Sequence, residues 1–297
     1  MPYHSIVLVK QVPDTRRVTG DVMTKKGTMN RAALPAIFNP EDLNALEMAL
    51  RVKEQHGGTV TVLTMGPPKA AEVLRESLYR GADQAILLTD RKFAGADTQA
   101  TSYTLKAAID KIGEFDLLFA GRQAIDGDTA QVGPQVAEKL GIPQITYAET
   151  IIKLEKGEIT VERAIGLGSE VVQCKLPALL TVVSTANQPR PFSSRRRIAY
   201  KLAAIPSEYP ALLEKWPEFE DEAQLDAYLD KRGLKITTWS VADLVVEESA
   251  LGLRGSPTQV YKVNFVVLES AESKEFSPTP EGIRSLVDEL IEEHIIT

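Results

Sequence analysis

The sequence predicts an α/β fold, a doubly wound and mostly parallel sheet, and three observations carry that reading. Short apolar or β-branched runs alternate with amphipathic segments through the first half of the chain, the order expected of right-handed βαβ units. Several of those runs end in small or polar residues, at Val9-Lys10, at Thr64-Met65-Gly66 and at Gly121. The third observation is the stretch Gly121-Arg122-Gln123-Ala124-Ile125-Asp126-Gly127-Asp128-Thr129-Ala130-Gln131-Val132-Gly133-Pro134. It stands between the apolar run Asp116-Leu117-Leu118-Phe119-Ala120 and a helix-like run that starts at Gln135. A loop so placed lies at the carboxyl ends of parallel strands, where free backbone N–H groups and a helix N-terminus receive phosphate. Asp128 and Thr129 suit a helix cap and Arg122 suits a charged or planar group. A polar surface loop with a good cap fits the same spacing.

Taken in order, residues 5–10 read as the first strand, closed by the turn Gln11-Val12-Pro13-Asp14. Residues 15–36 mix charge and glycine without a period and read as a hairpin or extended excursion. Asn39-Pro40-Glu41-Asp42 reads as a helix start, with Asn39 at the cap, proline first and acids in the first turn. Asn39 is open to a ligand role as well as to capping. Leu43, Leu46 and Leu50 carry the apolar face of that helix onward. Residues 59–65 form the next strand, 70–79 a helix stopped at Gly81, 84–89 a strand, 98–112 a helix and 144–147 a strand. Residues 151–163 alternate about the turn Glu155-Lys156-Gly157-Glu158, and 171–183 hold a strand pair broken at Lys175-Leu176-Pro177. Gly166-Leu167-Gly168-Ser169-Glu170-Val171 lacks the third glycine of a dinucleotide fingerprint and reads as a hairpin or strand-end turn.

Beyond residue 186 the pattern changes. The 187–197 stretch holds two prolines and four arginines and reads as an exposed, stiff, basic loop, either a solvated linker or a docking site for an acidic surface. Residues 207–232 are acidic and aromatic and predict one or two short helices. Residues 236–239 read as an edge strand or extended arm, and 251–258 as a glycine-punctuated loop. A helix over 278–294 closes the chain, with Ile283, Leu286, Val287, Leu290 and Ile291 as its apolar stripe.

Composition narrows the function. The 297 residues suffice for one large or two modest domains, and 43% apolar with 25% charged residues is ordinary for a globular protein. Lys and Arg number 34 against 41 Asp and Glu, and the net charge of -7 argues against nucleic acid as a general partner. No apolar run approaches the length of a membrane span, and no basic leader precedes the first strand. Cys174 is the only cysteine, so no intramolecular disulfide forms and a cytoplasmic location is expected. His4, His56 and His294 have no other ligand type at metal-binding spacing, so no metal site is expected. There is no phosphate loop of the Gly-x-x-x-x-Gly-Lys kind. No catalytic nucleophile or acid–base pair stands out, so redox chemistry would need a bound cofactor.

In combination, several motifs resemble the beta subunit of electron-transfer flavoproteins. They are Leu8-Val9-Lys10-Gln11-Val12-Pro13-Asp14, Asn39-Pro40-Glu41-Asp42 with Ala45-Leu46-Glu47 and Lys53-Glu54 after it, Met65-Gly66-Pro67, Gly81-Ala82-Asp83, the Gly121 to Pro134 stretch, Lys175-Leu176-Pro177-Ala178 and Asn187-Gln188-Pro189-Arg190. The resemblance covers most of residues 3–200 and returns from residue 236 to the end. It implies an adenine-nucleotide α-hydrolase-like sheet that pairs with an alpha subunit of related fold. It also implies a nucleotide held by Leu8, Asn39, Asp42, Met65, Gly121, Arg122, Gln123, Ala124, Asp126, Gly127, Asp128, Thr129, Ala130, Gln131 and Val132. The form of the 127–134 segment is similar to the electron-bifurcating branch, in which FAD takes the place of AMP. By that resemblance NADH gives a hydride to the beta-subunit FAD. One electron then goes through the alpha-subunit FAD to an acyl-CoA dehydrogenase and the other to ferredoxin or flavodoxin.

Two departures accompany the resemblance. Ser193-Ser194-Arg195-Arg196-Arg197 replaces a more apolar sequence where the family's loop recognises the dehydrogenase, and the acidic 210–232 stretch looks like an insertion that covers a partner surface. The expected organisation is a nucleotide- or FAD-binding domain over 1–200, an acidic helical insertion over 201–235, and an arm with a terminal helix over 236–297 that packs on the partner subunit. The alternatives are an electron carrier with structural AMP, an ATP-binding signalling protein on a similar sheet, and a pure scaffold.

Overall fold

The computed structural model describes residues 2–14, 35–258, 274–293 and 295–296, so most of the predicted 15–36 excursion lies outside the described residues. The chain divides into two compact units, Met1–Tyr261 and Lys262–Thr297.

The first unit is built on β1 (Tyr3–Leu8), whose apolar residues are covered on both faces. Beside it on one side lie β4 (Gly58–Met65) and β5 (Gln84–Leu88), and on the other lie β6 (Leu117–Gly121), β10 (Ala178–Val182) and β7 (Gln144–Glu155), each parallel to its neighbour. The three-residue strand β11 (Thr237–Trp239) closes the β5 edge in parallel, as predicted for 236–239. Past β7 the sheet turns antiparallel through β8 (Glu158–Ile165) and β9 (Gly168–Lys175), which gives the order β11-β5-β4-β1-β6-β10-β7-β8-β9. A separate antiparallel pair, β2 (Gln11–Pro13) and β3 (Ala36–Phe38), continues from β1 and delivers the chain to the first helix.

Side-chain alternation sets two cores. Val7, Val62, Phe119 and Leu180 face α1 (Pro40–His56) and α2 (Ala71–Arg80). Ile6, Leu63, Leu118 and Leu179 face α3 (Thr98–Ile112) and α4 (Val132–Leu140). Each such buried side chain contributes about 1.5–3 kcal/mol relative to leaving it exposed, so the two layers hold the sheet while its carboxyl edge is left to polar chemistry. This is the predicted doubly wound, mostly parallel architecture.

Three stretches differ in detail from the sequence reading. The strand predicted over 144–147 runs on without a break to Glu155, because the antiparallel partner β8 pairs with its outer half. The 187–197 stretch is not all loop. Arg190 pairs with Glu47 at 2.7 Å and with Glu54 at 2.5 Å, Arg196 donates to the Leu78 carbonyl at 2.6 Å, and Ser193 caps a short helix, α5 (Ser194–Tyr200). Two of the four arginines thus anchor the chain to itself, and Arg195 and Arg197 are left exposed. The 207–232 stretch forms the two predicted helices, α6 (Tyr209–Leu213) and α7 (Glu222–Lys231). Tyr209, Leu225 and Leu229 of these helices join the core on the α1 and α2 side.

In the second unit α8 (Pro280–Glu292) begins at a Thr279 cap and buries none of its residues; its stripe residues Ile283 and Ile291 are exposed. Among the described residues no helix is long and apolar enough to cross a membrane, and no cluster of side chains is arranged to hold a metal ion.

Candidate functional site at the carboxyl edge of the sheet

The strand order reverses at β1, which pairs with β4 on one side and with β6 on the other, so the crevice beyond their carboxyl ends is the switch point where open α/β sheets take ligands. Every residue the sequence singled out for binding stands at this edge. Leu8 and Met65 end β1 and β4 with their side chains on the α3 and α4 face, Asn39 and Asp42 start α1, Gly121 ends β6, and Val132 starts α4.

One carboxylate ties the edge together. Asp42 Oδ2 accepts the Lys10 amide beyond β1 at 2.8 Å, and Oδ1 accepts the Gly121 amide at the end of β6 at 3.1 Å. The residue is buried, and burial pushes the Asp42 carboxyl up to about 7 against the opposing pull of the Asn39 side chain, the Lys10 and Gly121 amides and the Lys10 charge. Gly121 is required by this packing, since a Cβ there would lie 2.4 Å from Asp42 Oδ1 and 2.7 Å from the Glu41 carbonyl carbon.

The first turn of α1 also shapes the loop that follows β6. Asn39 occupies the cap position but makes no side-chain capping bond. Instead its Nδ2 donates to the Gln123 carbonyl at 2.9 Å and its Oδ1 accepts the Ile125 amide at 3.1 Å, so the side chain bridges two loop residues. Glu41 accepts the Gln123 amide at 3.0 Å and the Arg122 Nε at 3.1 Å. The Glu41 hydrogen bond pushes the Arg122 pKa above its ordinary value, with burial opposing and Tyr147 adding to the shift. Lys10 Nζ reaches Asp126 at 2.8 Å across the top. The side chains of Asn39, Glu41, Asp42, Arg122 and Asp126 therefore hold the loop in place. Lys10 and Glu41 act with them, Lys10 from a strand end and Glu41 from the Asn39 motif that the sequence reading had placed at this edge.

The expected cap at Asp128 or Thr129 is corrected. The helix starts three residues later, at Val132, with Gln131 at the cap position and no side-chain cap. Asp128 takes a left-handed backbone (φ 47°) and accepts Gln123 Nε2 at 2.9 Å, and Ala130 is left-handed as well (φ 53°). Among the described residues the amides of Thr129, Ala130, Gln131, Val132 and Gly133 donate to no group of the chain. Successive free amides in a left-handed loop leading into a helix N-terminus make a concave donor set suited to an anionic phosphate. A nucleotide phosphate fits this donor set. Two recessed surfaces of about 470 and 670 Å³ lie elsewhere, around Gln84 and Trp239 and around His4 and Thr59. Neither includes a residue of this edge.

The family model described as electron transfer flavoprotein domain matches residues 26–208, well over half of the chain. The chain belongs to the electron transfer flavoprotein family. Its relatives include proteins named as the beta subunit. The electron transfer flavoprotein subunit beta of Thermoanaerobacterium thermosaccharolyticum is 44% identical over 98% of this chain and 99% of the relative. The caffeyl-CoA reductase-Etf complex subunit CarD of Acetobacterium woodii is 44% identical over the same shares. Protein FixA of Azorhizobium caulinodans is 43% identical over 88% of this chain and 83% of the relative. The role that follows for this family member is that of a redox, electron-transferring subunit in a complex with a partner subunit.

Proposed function

We propose that this electron transfer flavoprotein beta-type chain binds FAD at the carboxyl edge of its sheet and works as the NADH-oxidising, bifurcating half of a complex with an alpha subunit. The observation that carries the proposal is the run of five amides from Thr129 to Gly133 that have no partner among the described residues, placed at the switch point beside the turn that Asn39, Glu41 and Asp42 hold. When bound, the flavin supplies the electron chemistry, taking two electrons from NADH and releasing them singly toward the alpha-subunit flavin and toward ferredoxin or flavodoxin.

The chain's own part is to bind and orient. The amide run receives the phosphates, the α4 N-terminus adds a partial positive charge, and the buried Asp42 fixes the distance between the β1 and β6 ends that frame the crevice. Leu8 and Met65 close it on the α3 and α4 face. The exposed Ile283 and Ile291 of α8 support packing on the partner subunit, and the printed name of the Acetobacterium relative supports an acyl-CoA dehydrogenase or related CoA-ester enzyme as the electron acceptor.

The test is a nucleotide count on the heterodimer co-purified with its alpha subunit. Two FAD per heterodimer, with bleaching by NADH, are expected. One FAD with one AMP, and no response to NADH, would reduce the chain to an electron carrier with a structural nucleotide.

A further inference from the structure

Tyr147 is out of place as a strand residue. It lies in β7, yet its backbone is left-handed (φ 58°), a conformation that a bulky side chain rarely adopts. The β7–β10 register shifts at the same point, between Leu180 and Val182, so one extra residue is accommodated there as in a bulge. The strained residue is held from beneath. Its amide donates to Thr181 Oγ1 at 3.2 Å, and the Thr181 methyl is in turn packed under Gly133, where a Cβ would approach to 2.9 Å. The first turn of α4, at the end of the free amide run, therefore sits on the residue that fixes Tyr147.

The strained residue is left 40% exposed. Its conformation re-aims the side chain along the carboxyl edge, where the Arg122 guanidinium lies 5.7 Å from the ring centroid. Glu41 holds that guanidinium from the other side. The result is a flat aromatic face beside a flat cationic one, two strand spacings, or about 10 Å, from the end of β6. Strained residues cluster where a ligand is held, and bulges re-aim side chains next to such sites.

We infer that Tyr147, backed by Arg122, is a positioning residue against which a flat ring of the bound dinucleotide packs, on the β7 side of the phosphates held by the Thr129 to Gly133 amides. This rests on the FAD reading above. Arg122 places positive charge beside the ring and Tyr147 sets its plane.

The test uses the co-purified heterodimer, stripped of flavin and refilled with FAD, as wild type and as Tyr147→Phe, Tyr147→Leu and Tyr147→Gly. Loss of an aromatic stacking partner is expected to weaken the second FAD by about tenfold in the Leu and Gly variants and to shift its visible absorption, while Phe stays within about twofold. Glycine accepts a left-handed backbone without strain, so the flavin-free Tyr147→Gly heterodimer is expected to melt higher than wild type while holding FAD less tightly. Opposite signs in stability and affinity are what a purely structural tyrosine would not produce. Two FAD in the wild type with unchanged affinity and spectrum in the Leu and Gly variants would overturn the inference and leave the FAD reading standing. AMP in place of the second FAD in the wild type would overturn both.

Discussion

Two carboxylates on α1, five residues apart and about equally buried, are driven in opposite directions. Burial lifts Asp42 to about 7 because the donors it meets, the Asn39 side chain and the amides of Lys10 and Gly121, are neutral. Burial acts on Glu47 in the same sense, yet hydrogen bonds from Arg190 and Arg51 outweigh it and hold that carboxyl below its ordinary value. The partner, rather than the depth, decides the outcome. The first turn of α1 thereby organises the carboxyl edge of the sheet with a group poised near neutrality, and the next turn but one anchors the segment that returns past Asn187 through a carboxylate held below its ordinary range. Asn44, between them, serves the anchor as well, donating to the Asn187 carbonyl at 2.7 Å.

The contrast can be broken most forcefully at the anchor. Glu47→Ala leaves Arg190 and Arg51 without their shared acceptor and is expected to cost about 3 kcal/mol, less than a fully buried pair because Arg190 is part-exposed; urea unfolding measures it. At the organising turn, Gly121→Ala forces a Cβ against Asp42 and Glu41, with an expected loss of about 1–3 kcal/mol in the same assay and a weakened nucleotide. Asn39→Ala removes both loop hydrogen bonds for an expected ~1–2 kcal/mol, and hydrogen exchange at Ile125 should rise before the strands are affected.

The pH dependence sharpens the comparison further. Asp42 binds its proton more tightly folded than unfolded, so its contribution is fully present below pH 3.8 and is lost as pH rises toward 7. Glu47 is the reverse, with a contribution present above pH 4.5 and lost as pH falls below that. Asp42→Asn should flatten the decline in stability between about pH 4 and 7, and Glu47→Gln should flatten the acid limb, as read from denaturation midpoints across pH. If both variants changed the same limb, the contrast between neutral and charged partners would be wrong. Lys10→Met is the smallest change, an exposed pair whose loss should cost under about 0.5 kcal/mol and vanish in high salt.

The alternating periods, the glycine stops and the proline at the first turn of α1 are local signals, so the doubly wound sheet was legible in the sequence down to most element ends. The position of the site was legible too, because a small-residue loop between strand and helix has only one place to go in a parallel sheet. What each polar residue does was not. Asn39 has every local mark of a cap, but whether its side chain turns inward to its own helix or outward to Gln123 depends on a loop more than eighty residues away. Asp128 and Thr129 look like caps for the same local reason, and the left-handed turns at Asp128 and Ala130 delay the helix past them. Arg190 and Arg196 read as solvent-facing in a basic run, since nothing near them in sequence names Glu47 or the Leu78 carbonyl as partners. Tyr147 gave no signal at all, because a bulge is a property of the register between two strands and not of either one.

The central strand of the sheet precedes the other strands of that sheet in the chain, and its second neighbour comes late. Ser5 finds its partner Val60 on β4 only after that strand is made, and its partner Leu117 on β6 comes 112 residues after it. At ribosomal rates of roughly 5–20 residues per second, one edge of β1 stays unpaired for several seconds to tens of seconds. Asp42, which needs the Gly121 amide as its second donor, stays similarly incomplete through that interval. Mutations that slow elongation between residues 65 and 121 would therefore tax the yield of folded protein without altering a single contact in the finished fold.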